Sequence, residues 1–95
     1  MPNHPQHDPN RPMFFFYRET RIEAPVPKMT GAELKTLISL HVANFDPGQA
    51  LVLEGHGQEE DRIVNDDDSV PLTVGKGETP KRFYSKPPAT FGGGL

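Results

Sequence analysis

The residues with the clearest chemical meaning are Gly92-Gly93-Gly94, preceded by Thr90 and Phe91 and followed by Leu95. Without Cβ atoms, such a run lets backbone come close to other atoms on every side. It suits an end that threads a narrow channel, and equally a flexible end or linker. The other candidates carry less. His4 and His7 form a pair in a proline-rich stretch, and nothing beside them completes a metal's coordination shell. Asp66-Asp67-Asp68 and Glu59-Glu60-Asp61 lack the alternating ligands around a glycine turn that calcium needs. They read as solvated turns, or as an electrostatic docking surface for a basic groove. His41 and His56 have no partners spaced for acid–base work, so no enzyme, metal or cofactor is expected. Lys28, Lys35, Lys76, Lys81 and Lys86 are ordinary surface lysines that could also accept a modifier.

Composition narrows the setting for this chemistry. The 95 residues allow one domain with one modest core. Lys plus Arg number 10 and Asp plus Glu 13, so the net charge is 10 − 13 = −3, the wrong sign for a nonspecific nucleic-acid footprint. Cysteine is absent, which excludes disulfides, thiolate zinc and a thiol nucleophile. No apolar run approaches the roughly 20 residues of a membrane span. The first twelve residues have no apolar stretch of the signal-peptide kind. A cytoplasmic protein binding neither nucleic acid nor membrane is the expectation.

The elements that would position the glycine run follow from local pattern. Residues 1–12 hold four of the eleven prolines and are expected to form a disordered arm. A domain spans 13–88, and 89–95 is a flexible glycine-rich tail. Met13-Phe14-Phe15-Phe16-Tyr17-Arg18 is an aromatic first strand. Ile22-Glu23-Ala24-Pro25-Val26 is a second, making a hairpin across the polar break Arg18–Arg21. Thr30-Gly31-Ala32-Glu33 is a capping box, with Met29 poised to staple onto Leu34. Leu34, Leu37, Ile38 and His41 continue it at helical spacing, giving a helix over about 30–43. His41 at its end is favoured by the helix dipole. Strands follow at Ala50–Glu54, Asp61–Asn65 and Lys81–Ser85, with an apolar pin at Ser69–Leu72 after the acidic turn. This is an α+β pattern of a mixed sheet, four to five strands, packed on one helix. Placing the first and last strands side by side in the middle makes the sheet mixed.

That order resembles the β-grasp fold of ubiquitin. It resembles more closely the bacterial ubiquitin-like modifiers, including the multi-ubiquitin domains encoded beside activating and conjugating enzymes. The resemblance covers about residues 13–94. It is carried by Phe14-Phe15-Phe16-Tyr17, Met29-Thr30-Gly31-Ala32-Glu33-Leu34, Ala50-Leu51-Val52-Leu53-Glu54, the acidic turn with Val70 and Leu72, Lys81-Arg82-Phe83-Tyr84, and the glycine tail.

The resemblance implies a protein modifier whose working group is a C-terminal carboxylate. An activating enzyme would adenylate it with ATP and pass it through a thioester to a conjugating enzyme, and a target amine would take it as an amide. Gly92, Gly93 and Gly94 would lie in the enzyme channel, with Thr90 and Phe91 as side-chain anchors. Unlike mature ubiquitin, this sequence has Leu95 after the glycines, so the resemblance implies a precursor. A JAB-type zinc peptidase would remove Leu95, most simply by cutting after Gly94. Antiphage defence is the process such operons suggest. Alternation along the first strand turns one aromatic pair inward. With Phe14 and Phe16 inward, Phe15 and Tyr17 face out as a docking surface for the activating enzyme; the competing reading is core filling. Two other functions share the fold: a noncovalent interaction module, and a sulfur carrier holding a thiocarboxylate on its terminal glycine.

Overall fold

The computed structural model describes residues 11–87. β1 (Phe14–Tyr17) and β2 (Thr20–Glu23) form an antiparallel hairpin. β3 (Lys28–Thr30) leads into α1 (Gly31–His41). β4 (Ala50–Leu53), β5 (Arg62–Val64), β6 (Ser69–Pro71) and β7 (Lys81–Lys86) follow. The main sheet has the order β2-β1-β7-β4-β5, and β3 pairs with β6 in a separate two-stranded ribbon. β1 and β7 run parallel in the middle while the other pairs are antiparallel, so the sheet is mixed. This is a β-grasp-like α+β fold, one helix laid across one face of a five-stranded sheet.

The helix begins where its sequence says it should. Thr30 Oγ1 accepts from the Glu33 amide at 3.2 Å, and the Glu33 carboxylate accepts from the Thr30 amide at 2.9 Å. Two more amides of the first turn, which no helical carbonyl can satisfy, donate to the acidic turn. Gly31 gives its N–H to the Asp68 carbonyl and Ala32 to the Asp66 carbonyl. Gly31 is buried against that turn, and a Cβ there would collide with the Asn65 carbonyl oxygen. Only glycine permits this approach. Leu34 and Ile38 are fully buried, and Leu37 is half-buried beside them. These residues, three and four apart, make the stripe that faces the sheet. Full burial of each stabilises the fold by roughly 1.5–3 kcal/mol.

Opposite them lie Phe15, Ile22, Leu51, Val64 and Phe83, all on the covered face. The rings of Phe15 and Phe83 meet edge to face, centroids 5.4 Å apart. Met29 pairs with Val70 across the ribbon, and the Leu72 amide bonds the Pro27 carbonyl, so the apolar pin closes the end of the core.

Three details differ from the sequence reading. The hairpin turn is only Arg18-Glu19, which draws Thr20 and Arg21 into β2 and ends that strand at Glu23, before Pro25. β3 is an unforeseen strand, extended by the prolines on its N-terminal side and by pairing with the pin. Pro12, in the expected arm, accepts from the Val74 amide at 2.9 Å, and Met13 bridges Thr73. Among the described residues no helix is long and apolar enough to cross a membrane.

Candidate functional site

Gly92, Gly93, Gly94, Leu95, Thr90 and Phe91 lie outside the described residues. What the structure does place is the strand from which they follow. β7 is flanked by β1 and β4, and its last residue, Lys86, is paired with Ala50 of β4. On its other side, β1 reaches only as far as Tyr17, opposite Phe83.

Past that point β7 is held by other means. The Arg18 amide donates to the Phe83 carbonyl at 2.8 Å. The Arg18 guanidinium donates to the Ser85 carbonyl at 3.1 Å. The Tyr17 hydroxyl donates to Ser85 Oγ at 2.7 Å inside the protein, where an unpaired hydroxyl would be costly. Arg82 in turn donates to the Arg18 carbonyl at 2.9 Å. Arg18 adopts φ 53°, the left-handed region, and is alone among the described non-glycine residues in doing so.

Phe15 and Tyr17 do not form a docking surface. Phe15 is completely buried and Tyr17 is 5% exposed, because Ile22 and Phe83 pair with them on the helix-covered face. The half-exposed pair is Phe14 and Phe16, on the opposite face. Arginines cover both rings: the Arg21 guanidinium lies 3.8 Å from the Phe14 centroid, and that of Arg82 lies 4.6 Å from Phe16. Arg21 also pairs with Glu23 at 2.8 Å. Further across this face, Val52 is buried among its strand neighbours and Ile63 is exposed.

Tyr84, paired with Val52, donates its hydroxyl to Asp61 at 2.5 Å. The other Asp61 oxygen accepts the Gly55 amide at 2.7 Å. The tyrosine hydroxyl, then the Gly55 amide, hold the Asp61 carboxyl below its ordinary range. The same bond to Asp61 pushes the Tyr84 phenol up. This carboxylate thus ties the β4–β5 loop to the central strand.

The turn at Asp66–Asp68 serves the fold. Asp66 and Asp68 bond the helix amides through their carbonyls, and the Asp68 carboxylate accepts from the Asn65 amide at 2.9 Å. His41 ends α1, while His56 lies in the β4–β5 loop beside an open groove of about 560 Å3. Glu59, Glu78, Lys81 and Arg82 share the groove, with mixed charge and no convergent set of ligands. No group of three or more potential ligands capable of holding a metal occurs among the described residues. The lysines are dispersed, from Lys28 on β3 and Lys35 on α1 to Lys81 and Lys86 on β7.

No protein-family model, curated protein or solved structure matches the chain.

Proposed function

We propose that the chain is a ubiquitin-like protein modifier of the cytoplasm, conjugated through a glycine of the run that follows β7. The supporting observation is placement. A β-grasp-like sheet has β7 at its centre, and Gly92-Gly93-Gly94 follow it in sequence. From Lys86 to Gly94, eight residues span on the order of 27 Å when extended, enough to carry a carboxylate well away from the domain. A strand flanked on both sides gives that reach a fixed origin.

The chemistry needs no catalytic side chain in this protein. A JAB-type peptidase, using zinc-activated water, hydrolyses the Gly94–Leu95 bond and leaves the Gly94 carboxylate. That carboxylate attacks the α-phosphorus of ATP on an activating enzyme, and pyrophosphate leaves. The enzyme's thiolate attacks the acyl carbon and AMP leaves. After transfer to a conjugating enzyme, a target amine attacks the thioester, the thiol leaves and the amine's proton passes to a base. Glycine at each position keeps the channel free of Cβ clashes.

The test is the intact mass of the chain co-expressed with the genes flanking its own. Loss of the Leu95 residue mass is expected, with heavier adducts that disappear when residues 92–94 are deleted. A chain of unchanged mass, without adducts beside active enzymes, would exclude the reading. It would favour a noncovalent interaction module, for which the half-exposed Phe14–Phe16 face is the supporting observation.

A further inference from the structure

We propose that Arg18 and Tyr17 are positioning residues that fix the root of the glycine-bearing segment. The purpose assigned to them rests on the modifier reading, but the geometry does not.

The two central strands are unequal. β1 has four residues and β7 six, and their ladder ends at Tyr17 and Phe83. In a strand, successive residues point their N–H and C=O groups to opposite sides. Arg82 gives its carbonyl to Glu54, after β4. Phe83 and Ser85 therefore point theirs toward β1. Phe83 finds the Arg18 amide, but for Ser85 no β1 backbone remains, because the chain has turned back into β2.

The Arg18 guanidinium fills that position by donating to the Ser85 carbonyl, and the Tyr17 hydroxyl takes Ser85 Oγ from the covered face. Ser85 is thus gripped through backbone and side chain from the end of β1, while β4 holds Lys86 from the other side. Two side chains extend the ladder beyond the last strand pair.

The turn conformation points the same way. A two-residue turn with left-handed φ at its first position favours glycine there. This chain has arginine. Glycine would relieve the backbone but would supply no guanidinium for Ser85. Arg82, donating to the Arg18 carbonyl, braces the turn in that orientation. An anchored root limits the directions in which the following residues leave the domain. It lowers the ordering entropy an enzyme channel must overcome on binding them.

The test uses the full chain, whose lack of cysteine lets Ala89→Cys accept a single nitroxide label. With Arg18 and Tyr17 present, paramagnetic broadening is expected to fall on amides at one side of the β7 end. In Arg18→Gly, and separately in Tyr17→Phe, it should spread to the opposite side, with the thermal midpoint of Arg18→Gly held or raised. Arg18→Lys, which keeps a cationic donor, should restore part of the confinement. Identical broadening in all four proteins would overturn the proposal. Unlabelled protein cut to Gly94 supplies a second readout, ATP–pyrophosphate exchange by the activating enzyme. Arg18→Gly is expected to raise KM for the chain on the order of tenfold with kcat unchanged. A fall in kcat alone would also overturn it. If no variant supports exchange, the modifier reading fails, and the label still decides whether the root is fixed.

Discussion

β1 carries four aromatic side chains in succession, and they serve in two different ways. Phe15 and Tyr17 point under the helix, where Phe83, Ile22 and Phe45 surround them and water is excluded. Phe14 and Phe16 point to the opposite face, where no second layer lies over them among the described residues. There the arginines of neighbouring strands lie over the rings instead. The guanidinium plane shields apolar surface while its edge stays in water. Residue type therefore does not decide the role of an aromatic on this strand. The decision belongs to whatever lies above it, a helix on one side and arginine side chains on the other.

The contrast is sharpest in stability. Phe15→Ala opens a cavity between sheet and helix and should cost about 3–5 kcal/mol by chemical denaturation. A loss below about 1 kcal/mol would mean that the helix does not seal this face. On the uncovered side, Phe16→Ala should cost only about 1 kcal/mol. A double-mutant cycle with Arg82→Ala should return a coupling of about 0.5–1 kcal/mol. Zero coupling would reduce the arginine to a bystander.

The smallest effect is in pH dependence. Asp61 has a lowered pKa in the folded protein, so its bonds to Tyr84 and Gly55 favour folding above about pH 4 and lose that effect as pH falls. Tyr84 has a raised pKa, so its contribution is present below about pH 10 and is lost as pH rises further. Tyr84→Phe should flatten the alkaline limb of the denaturation profile and weaken the acid limb, where the Gly55 bond persists. The Asp61 carboxyl, followed by NMR titration, should move back toward its ordinary value. An unmoved titration would show that the phenol does not bond the carboxylate in solution.

How much of this was legible in the sequence depended on the range of the interaction. The helix start was readable because Thr30 and Glu33 act across one turn. The order of the helix and the main-sheet strands was readable because turn signals separate short apolar runs, whereas no local signal fixes the pairing of β1 with β7 that makes the sheet mixed. The phase of β1 was not, since Phe14-Phe15-Phe16-Tyr17 has no polar residue at alternate positions to mark the wet side. Pairing with Ile22 and Phe83 settles it, and both are distant choices. β3 escaped because three residues after prolines show no period. The grip on Ser85 was hidden for two reasons. Tyr17 and Arg18 lie far from Ser85 in sequence, and Arg18 stands where a turn would normally announce itself with glycine or asparagine.

The central position of β7 has a consequence for how the protein is made. Phe15 pairs with Lys81 and Leu53 with Phe83, so the sheet is two separate hairpins until β7 emerges from the ribosome. Until then the chain carries open edges, at β1 and, once it is made, at β4, and cannot complete its core. Contacts between sequence-distant residues make such closure slow. Translation at roughly 5–20 residues per second adds several seconds of waiting. An unfinished chain therefore lacks the strand that joins its two hairpins, and the core closes only once β7 is made.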